Sequence, residues 1–356
     1  MIKRNSKLFS PYAIGTISFK NRILFPSMCA NYCDGEGNFT TRYIAFIMAR
    51  IESGIAGIII PGTAYGVHGH MRPSLSEDRF IPGWSKLADE IHSRDAKLIC
   101  QLHPASFNPP RVKNPNNPSE FSQELIDELV ESFAHAAYRC LQAGIDGVEI
   151  HGAHAHEIAA FSSPYYNKRT DEYGGDYVGR SKLGVDIIRR IKKMCGSDYP
   201  LIFRMNGEDK LEGGRAIDEG AKVARLFESA GADAVHISAG LGPSAQYTEG
   251  TMDLDECLLV DDAAYVKANV GIPVIAVNRI MDLEQASVII DEDKADMVAM
   301  GRAFLVDPLL IKKALGEIEA PNVRCLGCKD HCGTRKGGAL SCVLNPIIGH
   351  EFESVS

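Results

Sequence analysis

Eight short apolar runs, most of them rich in Ile and Val, alternate along this chain with stretches of helical periodicity, and that alternation leaves few folds open. Runs of this kind are strands buried on both faces, which happens when helices cover a parallel sheet. In chain order they lie near residues 21–28, 57–60, 97–102, 147–150, 201–204, 234–238, 273–277 and 297–300. Eight is the strand number of a (β/α)8 TIM barrel, and 356 residues fill one such barrel with additions and no second core. A weak repeat agrees. Residues 53–60, 143–150, 230–237 and 293–300 share one layout, in which small residues close a helix and lead into a buried strand. A doubly wound open sheet would show similar joints, so the count of eight decides for the barrel. We assign residues 1–316 to it and residues 317–356 to a short Cys-rich extension.

Composition narrows the class. With 45% hydrophobic and 24% charged residues the chain resembles ordinary globular proteins rather than disordered, fibrous or membrane ones. A net charge of −8, without a basic run interleaved with aromatics, argues against nucleic acid as a partner. No segment supplies the roughly 20 apolar residues that span a bilayer, and the first residues do not read as a signal peptide. The expectation is a cytoplasmic protein acting on a small molecule, with a homo-oligomer as an open assembly.

Of ten cysteines, six are scattered, whereas Cys325, Cys328, Cys332 and Cys342 fall within the last 32 residues. Their spacing offers four thiolates that can wrap a compact metal centre, and both a zinc ion and an iron–sulfur cluster accept such an all-thiolate set.

In a barrel of this type the site forms at the C-terminal ends of the strands. After the seventh and eighth runs come Asn278-Arg279 and Gly301-Arg302, where this fold commonly holds phosphate on backbone N–H groups and a guanidinium. Each arginine alone reads as a surface cation; their shared placement points to a phosphorylated ligand. Arg204 ends the fifth run, either as a ligand contact or as the partner of a barrel carboxylate. At the fourth end, His151, His154 and His156 offer imidazoles that suit hydrogen bonding to a carbonyl oxygen better than zinc, with buried structural histidines as the alternative.

The segment His151-Gly152-Ala153-His154, followed by Phe161-Ser162-Ser163-Pro164-Tyr165-Tyr166-Asn167-Lys168-Arg169 and Thr170-Asp171-Glu172-Tyr173-Gly174-Gly175, resembles the signature of the Old Yellow Enzyme family of flavin oxidoreductases. Leu8-Phe9-Ser10-Pro11 and Lys20-Asn21-Arg22-Ile23 do so too. The four-cysteine tail with Asn345-Pro346 and His350-Glu351 is similar to the branch holding bacterial 2,4-dienoyl-CoA reductase and trimethylamine dehydrogenase. The resemblance implies FMN at the barrel mouth. Pro26, Ser27, Met28 and Cys29 would lie along the flavin, Gly62 near its reactive edge, and Gln101 and Arg204 at its pyrimidine ring. Asn278, Arg279, Gly301 and Arg302 would hold its phosphate.

The same resemblance implies that His151 and His154 bind a substrate oxygen, so that hydride from the flavin reduces an activated C=C bond of an enone or enoyl thioester. Amine oxidation and a non-catalytic electron-transfer subunit are the rivals. It also implies a four-iron four-sulfur cluster on Cys325, Cys328, Cys332 and Cys342, with NAD(P)H or an electron-donor protein supplying electrons. Two departures stand out. His156 occupies a position where the reductases usually place Tyr, which leaves His156, Tyr165 or Tyr166 to deliver the proton, and the loop Gln101-Leu102-His103-Pro104-Ala105-Ser106-Phe107 differs from the usual pattern.

Overall fold

The structure, a computed structural model, describes residues 5–65, 72–104, 112–328, 332 and 338–355. A short antiparallel hairpin, β1 (Tyr12–Ile14) and β2 (Ile17–Phe19), opens the chain. The barrel strands follow as β3 (Ile23–Phe25), β4 (Gly57–Tyr65), β5 (Lys97–Pro104), β6 (Gly147–Gly152), β7 (Leu201–Glu208), β8 (Ala234–Ala239), β9 (Val274–Val277) and β10 (Met297–Ala299). They pair in parallel in the order β10-β3-β4-β5-β6-β7-β8-β9 and close on themselves. All eight expected strands are present. Several run further than their apolar cores, to Pro104 and to Glu208, because inward-facing polar side chains do not disturb the backbone ladder.

The described α-helices are α1 (Thr41–Ile51), α2 (Ile81–His92), α3 (Gln123–Gln142), α4 (Glu157–Ser162), α5 (Tyr177–Cys195), α6 (Ile217–Ala230), α7 (Ala245–Glu249), α8 (Val260–Lys267), α9 (Leu283–Asp291), α10 (Arg302–Val306) and α11 (Leu310–Ala314). Side-chain caps fix where the longer ones begin: Thr40, Ser122, Asp176 and Asp282 each accept a hydrogen bond from a backbone N–H of the first turn. The apolar stripes of the large helices pack on the outer faces of the strands. Inside, Ile14, Ile17 and Phe19 of the hairpin join Leu24, Ile59, Ile99, Ile202, Ile275 and Met297 in a second cluster. That plug seals the N-terminal end of the barrel. The opposite end stays polar and open.

The repeated joint has a physical basis. Gly54, Gly144 and Gly231 hold φ between 75° and 112°, which favours glycine, and the fourth joint uses Asp293 at φ 58° one position earlier. Asp146, Asp233 and Asp296 then accept from the backbone N–H of Leu98, Leu201 and Val274 at 2.7–2.9 Å. Each carboxylate thereby ties the start of one strand to the strand before it.

The tail after α11 is better anchored than a segment held by a bound ligand alone. Leu340 N–H donates to the Ala30 carbonyl and Asn31 Nδ2 to the Gly338 carbonyl, both at 3.0 Å, and the Tyr32 hydroxyl donates to the Leu340 carbonyl. Leu340 and Ile348 are buried, and Glu351 pairs with the fully buried Arg50 of α1. No helix among the described residues is long and apolar enough to cross a membrane.

Candidate active site

A cavity of about 570 Å³ opens at the C-terminal rim, within the range of small-molecule and cofactor pockets. Pro26, Ser27, Met28 and Cys29 line it from the segment after β3, Gln101 from β5, His151 from β6 and Arg204 from β7. His154, His156, Ser238, Asn278, Arg279, Gly301 and Arg302 complete the polar part of the wall that sequence reading marked at the strand ends.

Two expected residues lie elsewhere. A Cβ on Gly62 would meet Cys100 Sγ, Leu75 and Trp84, so this glycine lets strand and helix layer pack closely and does not line the cavity. Tyr166 is also outside the lining, with its hydroxyl beside Gly242. Ala105, Ser106 and Phe107 fall outside the described residues; His103 before them is buried, its Nδ1 3.1 Å from the Pro104 carbonyl.

The signature that carried the family resemblance is mostly scaffold. Asn167 Nδ2 donates to the Phe161 and Tyr173 carbonyls at 2.6 and 2.7 Å, and Ser163 Oγ donates to Asp209 at 2.7 Å. Arg169 Nη1 reaches the Pro118 and Phe121 carbonyls. These bonds fasten the α4–α5 loop to the barrel rim and to the segment before α3.

The histidines form a chain. His151 Nε2 lies 3.1 Å from His154 Nδ1, and His154 Nε2 lies 2.6 Å from Ser238 Oγ. Burial, with the other imidazoles and Arg204 adding to it, holds His151 and His154 well below the usual histidine range, so both are neutral. Each then carries one N–H, and the chain runs with one of two polarities, from Ser238 toward His151 or back. His156 packs against them with its ring tilted by 54° to that of His151 and the two centres 4.5 Å apart. Burial and then Arg72 push its pKa down to about 4.

On another part of the wall, Asn278 and Arg279 follow β9 with consecutive left-handed backbones, φ 86° and 54°, and both residues line the cavity. Arg279 Nη1 donates to the Thr251 carbonyl at 2.9 Å and Arg302 Nη1 to the Gly250 carbonyl at 2.8 Å. Asn278 Oδ1 and Arg204 Nε are buried without a hydrogen-bond partner, a cost unless a ligand meets them. A Cβ on Gly301 would come within 2.8 Å of Met28 Sδ and 3.2 Å of Pro26 Cγ, so glycine eases the close approach of the β3 and β10 ends here. The donor set fits FMN: amide and cation at one part of the wall, two guanidinium groups at another.

Cys325, Cys328, Cys332 and Cys342 line one small cavity of about 20 Å³ together with Arg302, Leu326, Val343 and Leu344. Cys332 and Arg302 also line the large cavity, so the two adjoin. Among the described residues no group of three or more His, Cys, Asp and Glu side chains is placed to hold a metal ion.

Sequence reading passed over three residues that matter. Ser238 was visible only as a strand end. Glu149 and His236 sit fully buried inside the barrel; their signal was a polar residue in third place of otherwise apolar strands, Gly147-Val148-Glu149-Ile150 and Ala234-Val235-His236-Ile237.

A closed parallel barrel with this rim defines a class, the flavin-holding (β/α)8 oxidoreductases. Within it, the chain belongs to the NADH:flavin oxidoreductase / NADH oxidase family, whose sequence model matches residues 7–320. It is similar to an NADH oxidase of Thermoanaerobacter brockii, 34% identical over 367 residues that cover 97% of this chain and 56% of that protein. A cinnamate reductase of Clostridium sporogenes is 29% identical over 391 residues, covering 97% of this chain and 58% of the relative. A solved 2-naphthoyl-CoA reductase in complex with 2-naphthoyl-CoA superposes with a TM-score of 0.87 at 26% identity, covering 98% of this chain and 58% of that one. The chain thus spans little more than half the length of these relatives.

Proposed function

We propose that this chain is the FMN-bearing part of an ene-reductase that reduces the C=C bond of an enoate, enone or enoyl thioester. The observation that carries the reading is the pair of neutral imidazoles, His151 and His154, in the same cavity as Arg204 and the Arg279–Arg302 wall. A bound flavin supplies hydride chemistry. Gln101 and Arg204 hold its pyrimidine ring, and Asn278, Arg279, Gly301 and Arg302 its phosphate. When the imidazole chain runs from Ser238 toward His151, it leaves the single N–H of His151 on Nδ1, outside the chain, and this group donates to the substrate carbonyl oxygen, which makes the β-carbon electrophilic; His154 holds the His151 ring in that tautomer. His156, which lines the cavity, is the proton donor to the α-carbon in this reading, ahead of Tyr165 and Tyr166, which do not line it. Relatives named for cinnamate and 2-naphthoyl-CoA reduction support an unsaturated acid or thioester as the substrate class.

A four-iron four-sulfur cluster on Cys325, Cys328, Cys332 and Cys342 completes the proposal. Its support is the shared cavity and the adjoining wall through Cys332 and Arg302. Electrons enter from NAD(P)H or from a donor protein. The test is anaerobic and has two arms: protein reduced with NAD(P)H or dithionite is mixed with enoates, enoyl thioesters and enones while flavin reoxidation is followed, and oxidised protein is mixed with tertiary amines while flavin reduction is followed. Reoxidation by the unsaturated compounds is expected. A flavin reduced by amines and inert toward every C=C acceptor would establish amine oxidation instead. Iron and sulfide of about four each per chain are expected; stoichiometric zinc would remove the cluster.

A further inference from the structure

Inside the barrel, directly beneath the cavity, a carboxylate is enclosed by three other polar side chains. Glu149 of β6 is completely buried. Its Oε1 accepts from Gln101 Nε2 at 2.6 Å, and its Oε2 lies 2.7 Å from His236 Nδ1. Gln101 is its register partner on β5, and Arg204, on the strand on its other side, acts on it electrostatically. Burial alone would raise the Glu149 carboxyl, but His236, Arg204 and Gln101 bring it below the usual range, so it is ionised. An ionised carboxylate only accepts. Two consequences follow from that asymmetry: the Gln101 amide must turn its NH2 toward Glu149 and leave Oε1 as its free end, and His236 must carry its proton on Nδ1.

We propose that Glu149 is a positioning residue for the flavin site. It fixes Gln101 as a hydrogen-bond acceptor for the ring imide N–H, and it balances the charge of Arg204 where negative charge develops on reduction. The inference rests on the flavin reading above and adds to it a residue that does not line the cavity. Electrostatics set the sign of the effect. With Glu149 ionised, its charge and that of Arg204 cancel; without it, Arg204 stands alone beside the ring and favours the reduced cofactor over the oxidised one.

The experiment measures FMN affinity and the two-electron midpoint potential of FMN-loaded wild type, Glu149→Gln and Glu149→Asp. Glu149→Gln removes the charge with little change of shape and frees Gln101 to flip. It is expected to favour reduced over oxidised FMN by about tenfold, a rise of about 30 mV. Glu149→Asp keeps the charge but draws it back from Gln101, so the potential should stay near wild type while FMN binds about tenfold more weakly. Should Glu149→Gln fail to fold, the affinity of Glu149→Asp decides alone. A potential unmoved in Glu149→Gln, or FMN affinity unchanged in Glu149→Asp, overturns the proposal while leaving the flavin site intact. Failure of wild type itself to bind FMN overturns both.

Discussion

Proton supply at the rim turns on one residue. With a pKa of about 4, only about one His156 in a thousand is protonated at pH 7. If His156 delivers the proton, the proton-limited rate of C=C reduction rises about tenfold per unit as pH falls from 7 to 5. His156→Tyr should raise the rate at pH 7 and flatten the profile; a flat wild-type profile with a slower Tyr variant would exclude His156 as donor. Its neighbour Glu157 behaves oppositely. Burial pushes that carboxyl up to about 7. Unfolded Glu ionises near 4.3, so between about pH 4 and 7 the folded chain keeps a proton that the unfolded chain has lost. Stability therefore falls as pH rises through that window and levels off above it. Glu157→Gln should remove this loss, gaining on the order of 3–4 kcal/mol over wild type at pH 8 relative to pH 4. Urea titrations at both pH values provide the check.

At the scale of elements, sequence patterns carried meanings that only contacts reveal. The Asp of the repeat was legible as part of a joint, but its tie to the previous strand was not. The signature after β6 was recognisable by family likeness, yet Asn167, Ser163 and Arg169 spend their polar groups on backbone carbonyls and Asp209. Tyr166 looked chemical by association with that segment and faces Gly242 instead. The tail contains the clearest mechanical latch. Arg50 is fully buried, and Glu351 is its carboxylate partner. Removing one member of a buried pair typically costs about 3–5 kcal/mol, because the remaining charge is uncompensated. Glu351→Ala should lower overall stability by about that amount or release the tail, with faster alkylation of the four clustered cysteines in the ligand-free protein. Unchanged alkylation and unchanged unfolding would show that the latch carries no load.

For the molecule as a whole, the barrel is sealed at one end by the hairpin plug and left with orphaned polar atoms at the other. A ligand that satisfies those atoms in the folded state alone must stabilise it. FMN at 100 times its dissociation constant should add about 2.7 kcal/mol, read as a rise in melting temperature. Riboflavin, which lacks the phosphate, should add less at the same concentration, and Arg302→Ala should narrow the difference between the two. Equal shifts with riboflavin and FMN would place the phosphate elsewhere.

By itself the sequence determined the barrel, its eight strands and the polar groups at their ends, because burial on both faces of a strand and the joint between helix and strand are local patterns written in consecutive residues. It also marked four cysteines as a unit. What only the tertiary structure decided is which of these groups meet: the imidazole chain closing on Ser238, Glu149 holding Gln101 and His236, Gly62 and Tyr166 turned away, and the tail fastened through Arg50. Those outcomes depend on distances between residues tens to hundreds of positions apart, and closure of the sheet sets such distances while no run of neighbours encodes them.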